Sequence, residues 1–242
     1  MKCTSDKLEY NGALQQWSLK TVRFGQFLQL SVEDKRKLYK SDHVILDSIP
    51  TWTEYYAQNK ERFQQSSVRE KYPASDEINN KISIWTGDIT RLEIDAIVNA
   101  ANSSLLGGGG GVDGAIHCAA GTYLREECLL LGGCATGDAK ITCGYRLPSK
   151  YIIHTVGPRG EDKDLLRSCY ERCLSIKEEN NLRNIVSYPN ENAASVALDT
   201  VRSWLENRSN YEKTGRIIFC LFLPVDVVIY EALLQEYYPV ET

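Results

Sequence analysis

The run Gly107-Gly108-Gly109-Gly110-Gly111-Val112-Asp113-Gly114 lies between an apolar stretch that reads as a strand and a stretch that reads as a helix. Residues without Cβ enter φ > 0 and let successive N–H groups converge, which makes a concave site for an anion, and the following helix adds its positive end. The ligand expected there is a phosphate or diphosphate held by main chain rather than by lysine or arginine. Asn99 and Asn102 close the apolar run that begins at Ile94. At the carboxyl end of a strand, where open α/β sheets place ligands, they offer donors and acceptors to sugar hydroxyls. Asp113 falls on the first turn of the helix, and His117 follows one turn later on the same face. A carboxylate there is often only a dipole partner, and a histidine on an apolar helix is often only a core residue, so both readings stand beside the functional one.

The elements that position these residues alternate. Ile82-Ser83-Ile84 leads as a half-buried strand into Thr86-Gly87-Asp88-Ile89-Thr90, and Ile94 to Asn102 reads as a buried strand. A helix is expected over 114–131, strands over 141–145 and 151–156, a helix over 164–179, a strand over 184–188, a helix over 193–206, a strand at Ile217 to Leu223 and a last helix near 225–237. Together they predict an α/β fold, a three-layer α/β/α sandwich with a mixed central sheet. Ser31-Val32-Glu33-Asp34 and Thr51-Trp52-Thr53-Glu54 each have capping-box spacing and start helices, the first running to Tyr39. Residues 1–77 are therefore expected to be a helical extension and linker, with the polar stretch 64–80 as the linker, and 78–242 the α/β domain. Asp88 has two readings, as a ligand contact or as the cap of a short helix. Asn99 has a second reading too, as a residue that serves only its loop backbone, and His154, inside the apolar run 151–156, reads as structural.

Two familiar phosphate loops fit poorly. Residues 109–114 satisfy G-x-G-x-x-G, but Ser103-Ser104-Leu105-Leu106 separates the glycines from the strand, and the acids that follow, Glu126 and Glu127, fall within a helical stretch. No Gly-Lys-Ser/Thr follows, so a Walker A loop is excluded.

Gly87-Asp88-Ile89, Val98-Asn99-Ala100-Ala101-Asn102-Ser103, the glycine run through His117, and His154-Thr155-Val156-Gly157-Pro158 together resemble a macrodomain, in detail the MacroD type. The resemblance runs from about Leu28 to Val240. It implies hydrolysis of mono-ADP-ribose from acidic side chains of proteins and deacetylation of O-acetyl-ADP-ribose, with no metal and no cofactor. It implies that Asp88 accepts from the adenine amino group, with Gly87 and Ile89 beside it and Phe222 walling the pocket. Asn99 and Asn102 would face the distal ribose, and Gly108, Gly109, Gly110, Gly111 and Val112 would hold the diphosphate. Asp113, with His117, would orient or activate the attacking water; free aspartate is a poor base at neutral pH, so it needs either a raised pKa or a substrate phosphate as the base. Implied partners are ADP-ribose, O-acetyl-ADP-ribose and mono-ADP-ribosylated proteins, and the implied setting is reversal of ADP-ribosylation, including the DNA damage response, by a monomer in nucleus and cytoplasm.

The chain also departs from that pattern. A second loop, roughly Ser-Thr-Gly-aromatic-Gly, is expected after the strand that follows the helix at 164–179, but Ser187 runs directly into Tyr188-Pro189-Asn190-Glu191, about ten residues short. A missing loop removes one wall of the cleft and shortens a central strand, which predicts weakened binding and water positioning; an ADP-ribose-binding module with little or no turnover is the alternative function. The glycine run is one residue longer than the family pattern, and Cys118 stands where an arginine is usual.

Composition narrows the classes further. The 242 residues carry 28 Lys and Arg against 32 Asp and Glu, a net charge of −4, without a basic cluster, so nucleic acid is not an expected partner. No apolar run approaches the roughly 20 residues of a membrane span. The eight cysteines form no C-x-x-C pair and follow no signal-peptide pattern, so they are expected to be reduced thiols, and three scattered histidines argue against a zinc site. Mitochondrial import finds no support in the mixed charges of the first 23 residues.

Overall fold

The computed structural model describes residues 25–63, 69–108, 110–187 and 193–241. The chain enters through α1 (Val32–Arg36), β1 (Val44–Ile45), α2 (Trp52–Gln58), α3 (Lys60–Phe63) and α4 (Asp76–Asn79). It continues through β2 (Ile82–Thr86), β3 (Leu92–Glu93), β4 (Ala96–Ala100), α5 (Gly111–Ala120), α6 (Thr122–Leu131), β5 (Ala139–Cys143) and β6 (Tyr151–Thr155). The rest comprises α7 (Lys163–Glu179), β7 (Asn184–Ser187), α8 (Ala194–Glu206), α9 (Arg208–Lys213), β8 (Arg216–Leu221) and α10 (Pro224–Tyr237). β1 and β3 form a small parallel pair. The main sheet has the order β2-β8-β7-β4-β6-β5 and is parallel except for the β5–β6 pair, so the expected mixed three-layer sandwich is the observed one.

Burial on both sides explains the continuous apolar runs of the strands. Neighbouring residues such as Ile97 and Val98, Ile152 and Ile153, or Ile217 and Ile218 point to opposite faces and enter two separate cores. One core is closed by α2, α7, α8 and α10, the other by α5 and α6. Among the described residues, no helix is long and apolar enough to cross a membrane.

Several elements differ from the sequence reading. β4 stops at Ala100, so Asn102 lies in the following loop rather than in the strand. The helix expected over 114–131 is two helices, because Gly121 at φ +89 ends α5 and starts α6. Phe222 lies just past β8 instead of within it. The helix after Ser31 ends at Arg36, short of Tyr39. Among the described residues, six cysteines are free and buried.

The stretch before residue 78 shares the core of the rest. Thr51 caps α2 with its Oγ1 accepting from Glu54 N at 3.2 Å, while the Glu54 carboxylate accepts from Thr51 N at 2.8 Å. That cap starts the helix carrying Trp52 and Tyr56, which join Phe63 in the core that also holds buried residues of α8 and α10. Residues 64–68 of the expected linker lie outside the described residues, but 69–80 are tied to the domain at several points: Lys71 N donates to Glu236 O at 2.9 Å, and buried Asn79 donates Nδ2–H to Pro239 O at 2.8 Å. Polar composition here reflects side chains that bond into the domain.

Asp199 on α8 ties this stretch down, accepting from Lys71 Nζ and Tyr72 Oη, each at 2.8 Å, and from Arg167 Nη2 at 2.9 Å. Burial alone would raise its pKa, but these three donors outweigh it and hold the carboxyl at about 2. A folded-state pKa below the unfolded value near 4 means that its stabilisation is full above about pH 4 and is lost as pH falls towards 2. Asp199→Asn is therefore expected to lower stability by about 1 kcal/mol at neutral pH, discounted for nearby solvent, and by less at pH 2–3. Urea melts of both chains across that range test this; an equal loss at both pH values would show that the charge contributes nothing.

Candidate active site

After β4 the chain turns through a loop that Asn102 organises. Its Oδ1 accepts from Ser104 N at 3.0 Å and from Ser104 Oγ at 2.5 Å, while its Nδ2 donates to Gly107 O at 3.2 Å. The Asn102 side chain, expected at a ribose, is thus engaged with its own loop. The glycines use the conformations expected of them: φ is +71° at Gly107, +90° at Gly108, +73° at Gly110 and +56° at Gly111. Gly109 lies outside the described residues. At Gly107 space is limiting as well, since a Cβ would stand 2.8 Å from His117 Cγ. Gly110 caps α5, whose first turn carries half-buried Val112 and buried Asp113.

Asp113 is 6% exposed. Its Oδ1 accepts from Asn99 Nδ2 at 2.8 Å and stands 3.6 Å from His117 Nε2. Asn99 points from β4 into this face, and its Oδ1 is buried without a hydrogen-bond partner, as is His117 Nε2. Burial lowers the His117 pKa, Asp113 raises it, and Arg125 lowers it again, with a net shift downward that favours the neutral ring. A buried carboxylate flanked by two unsatisfied polar atoms, behind a glycine turn and at a helix N-terminus, is arranged to receive a polar ligand or water.

The adenine-side candidates lie at the ends of β2 and β8. Asp88 caps a short 3₁₀ turn, Ile89–Arg91, with Oδ1 accepting from Thr90 N at 2.9 Å and Thr90 Oγ1 at 2.7 Å. Its structural reading is therefore satisfied in the structure, while the residue stays exposed. Ile89 is buried; Gly87 accepts the Trp85 indole, which a Cβ there would meet at 2.4 Å; Phe222 is 63% exposed.

Sequence reasoning left His154 as structural and did not consider Cys128 or Thr142, yet His154 reaches Asn99 on one side and Thr142 and Cys128 on the other. His154 Nδ1 lies 3.1 Å from Asn99 Nδ2, and its Nε2 lies 2.8 Å from Thr142 Oγ1 and 3.9 Å from Cys128 Sγ. The register Asn99↔His154 between β4 and β6 brings the pair together, a juxtaposition the linear sequence does not display. His117, Cys128 and His154 place ligand atoms within 4.8 Å of one another, so histidines scattered in sequence do gather in space. As a metal site the trio is poorly prepared. Asn99 Nδ2 is a donor, so His154 Nδ1 holds the lone pair, and Nε2, the nitrogen facing Cys128, carries the hydrogen. Burial also pushes the Cys128 thiol up to about 12, away from the thiolate that a metal needs.

A cavity of about 770 Å³ lies on the other face of β4. It runs from Val98, Ile185 and Ile217 past Cys173 and Leu174 to Ser187 and Ala193, where β7 ends and α8 approaches. Among the described residues, β7 pairs with β8 over four residues and with β4 at Ala96 and Ile97. Residues 188–192, where the second loop is expected to be missing, lie outside the described residues.

Fold and site define a three-layer α/β/α domain that presents a glycine turn, a helix N-terminus and a buried aspartate at the carboxyl ends of parallel strands. Residues 98–194 match the Macro domain family model. The chain is 46% identical over 231 residues to ADP-ribose glycohydrolase MACROD2 of Mus musculus, covering 89% of this chain and 48% of that protein. It is 47% identical over 214 residues to ADP-ribose glycohydrolase MACROD1 of Rattus norvegicus, covering 82% and 80%. The Trypanosoma brucei macrodomain, solved in complex with ADP-ribose, superposes with a TM-score of 0.73 at 32% identity, covering 94% of this chain and 93% of that one. The chain belongs to the macrodomain family. It spans about half the length of the MACROD2 relatives it matches.

Proposed function

We propose that this chain hydrolyses mono-ADP-ribose from acidic side chains of proteins and deacetylates O-acetyl-ADP-ribose. The observation that carries this reading is Asp113, buried at the N-terminus of α5 beside two polar atoms without partners, His117 Nε2 and Asn99 Oδ1. The glycine turn and the helix N-terminus take the diphosphate, and Asp88 with Phe222 takes the adenine. Asp113 then accepts a hydrogen bond from a water and aims its lone pair at the ribose ester, with geometry supplying much of the rate. The names of the relatives and the ADP-ribose in the trypanosome structure support this substrate class. We place the activity in reversal of ADP-ribosylation, in nucleus and cytoplasm, by a monomer.

A second reading is a module that binds ADP-ribose without turning it over. The cavity beside Ser187 and the sequence that runs from Ser187 straight into Tyr188 favour it, because the expected second loop would wall the distal ribose.

Calorimetric titration of the purified chain with ADP-ribose, paired with a hydrolysis assay on a mono-ADP-ribosylated protein, separates the readings. The expected result is micromolar binding, about −8 kcal/mol, together with product release. Binding without release supports the second reading. A folded chain that binds only after the family's loop is inserted behind Ser187 overturns the hydrolase proposal for this chain.

A further inference from the structure

We infer that His154 and Thr142 are positioning residues for Asp113, acting through Asn99 along one buried hydrogen-bond chain that crosses three strands. The inference rests on the catalytic reading of Asp113 above. The chain runs from Thr142 Oγ1 on β5 to His154 Nε2 on β6 at 2.8 Å, from His154 Nδ1 to Asn99 Nδ2 on β4 at 3.1 Å, and from Asn99 Nδ2 to Asp113 Oδ1 on α5 at 2.8 Å. Asn99 and His154 are fully buried and Thr142 is 2% exposed, so water does not compete for these groups.

Each link follows from the donor inventory. A carboxylate can only accept, so the Asn99 atom facing Asp113 is the amide nitrogen, and its second hydrogen points at His154. His154 must then present a lone pair at Nδ1 and a hydrogen at Nε2. That hydrogen needs an acceptor, and Thr142 Oγ1 is nearer than Cys128 Sγ. Burial, with a smaller contribution from His117, keeps His154 neutral by holding its pKa at about 3. A doubly protonated ring would oppose the Asn99 N–H and turn the amide away from Asp113. The threonine hydroxyl therefore sets a tautomer, the tautomer sets the amide, and the amide sets the rotamer of the carboxylate.

Thr142→Val keeps the shape and removes the acceptor, whereas Thr142→Ser keeps the acceptor. In the full chain, Thr142→Val is expected to lower kcat for ester hydrolysis about tenfold with KM and ADP-ribose affinity nearly unchanged, and Thr142→Ser to retain the wild-type kcat. Nitrogen-15 spectra of the histidine rings in the unliganded wild-type chain are expected to show His154 protonated at Nε2 and bare at Nδ1. A wild-type His154 protonated at Nδ1, or a Thr142→Val chain with unchanged kcat, overturns the inference. Equal losses in the valine and serine variants, tracking a fall in melting temperature, also overturn it, since they mark a packing role. If the wild-type chain hydrolyses nothing, the reading of Asp113 fails, and the ring spectra still decide whether the hydrogen-bond chain exists.

Discussion

Asp113→Ala is expected to slow release of ADP-ribose from a modified acidic side chain by about 10²–10⁴-fold, the range for loss of a group that positions or activates water. Affinity for ADP-ribose itself is expected to change little, because the glycine turn, the α5 N-terminus and the adenine-side residues remain. The variant also removes the acceptor for Asn99 Nδ2, a fully buried donor, so a stability loss of about 1–3 kcal/mol accompanies it. Single-turnover kinetics at a temperature where both chains are folded, with calorimetry in parallel, keep the two effects apart. Undiminished hydrolysis would remove Asp113 from the mechanism. Undiminished hydrolysis in Asp113→Asn alone would mean that orientation of the water matters and the negative charge does not.

Trp52→Ala is expected to have the largest effect on stability. Trp52 is fully buried, lies with Tyr56 and Phe63 in one aromatic cluster, and donates its Nε1–H to Tyr238 O at 2.8 Å. Truncating so large a buried side chain costs about 3–5 kcal/mol, a fall in Tm of roughly 6–20 °C for a chain of this size. Thermal melts by circular dichroism measure it. A variant melting within about 2 °C of wild type would mean that the segment before residue 78 is an appendage rather than part of the core.

The architecture was legible in the sequence where burial on two faces left paired apolar residues, as at Ile97-Val98 and Ile152-Ile153. Element ends were less so, for local reasons. Asn102 looks like the end of a strand because the polar pattern does not reveal that its amide folds back on Ser104 and Gly107. Gly121 hides within a helical pattern until its positive φ is seen to divide α5 from α6. Asp113 and His117 are adjacent by helical period, so their pairing is readable from spacing. The partners behind Asp113 are not, because Asn99, Thr142 and His154 meet only through strand register. The polar stretch at 69–80 misleads for the opposite reason: Tyr72 and Asn79 bond into the domain with the same groups that make a segment look solvated.

Four of the free cysteines are divided between the two cores: Cys173 lies on one side of the sheet, and Cys128, Cys143 and Cys220 on the other. Burial pushes all four thiols up, Cys128 and Cys220 to about 12, so these four offer almost no thiolate to an alkylating reagent at neutral pH. Each modification then records an opening of the layer that holds the thiol. The cysteines are a clock on either side of the sheet, and their relative rates tell whether the two helical layers come away together or one at a time.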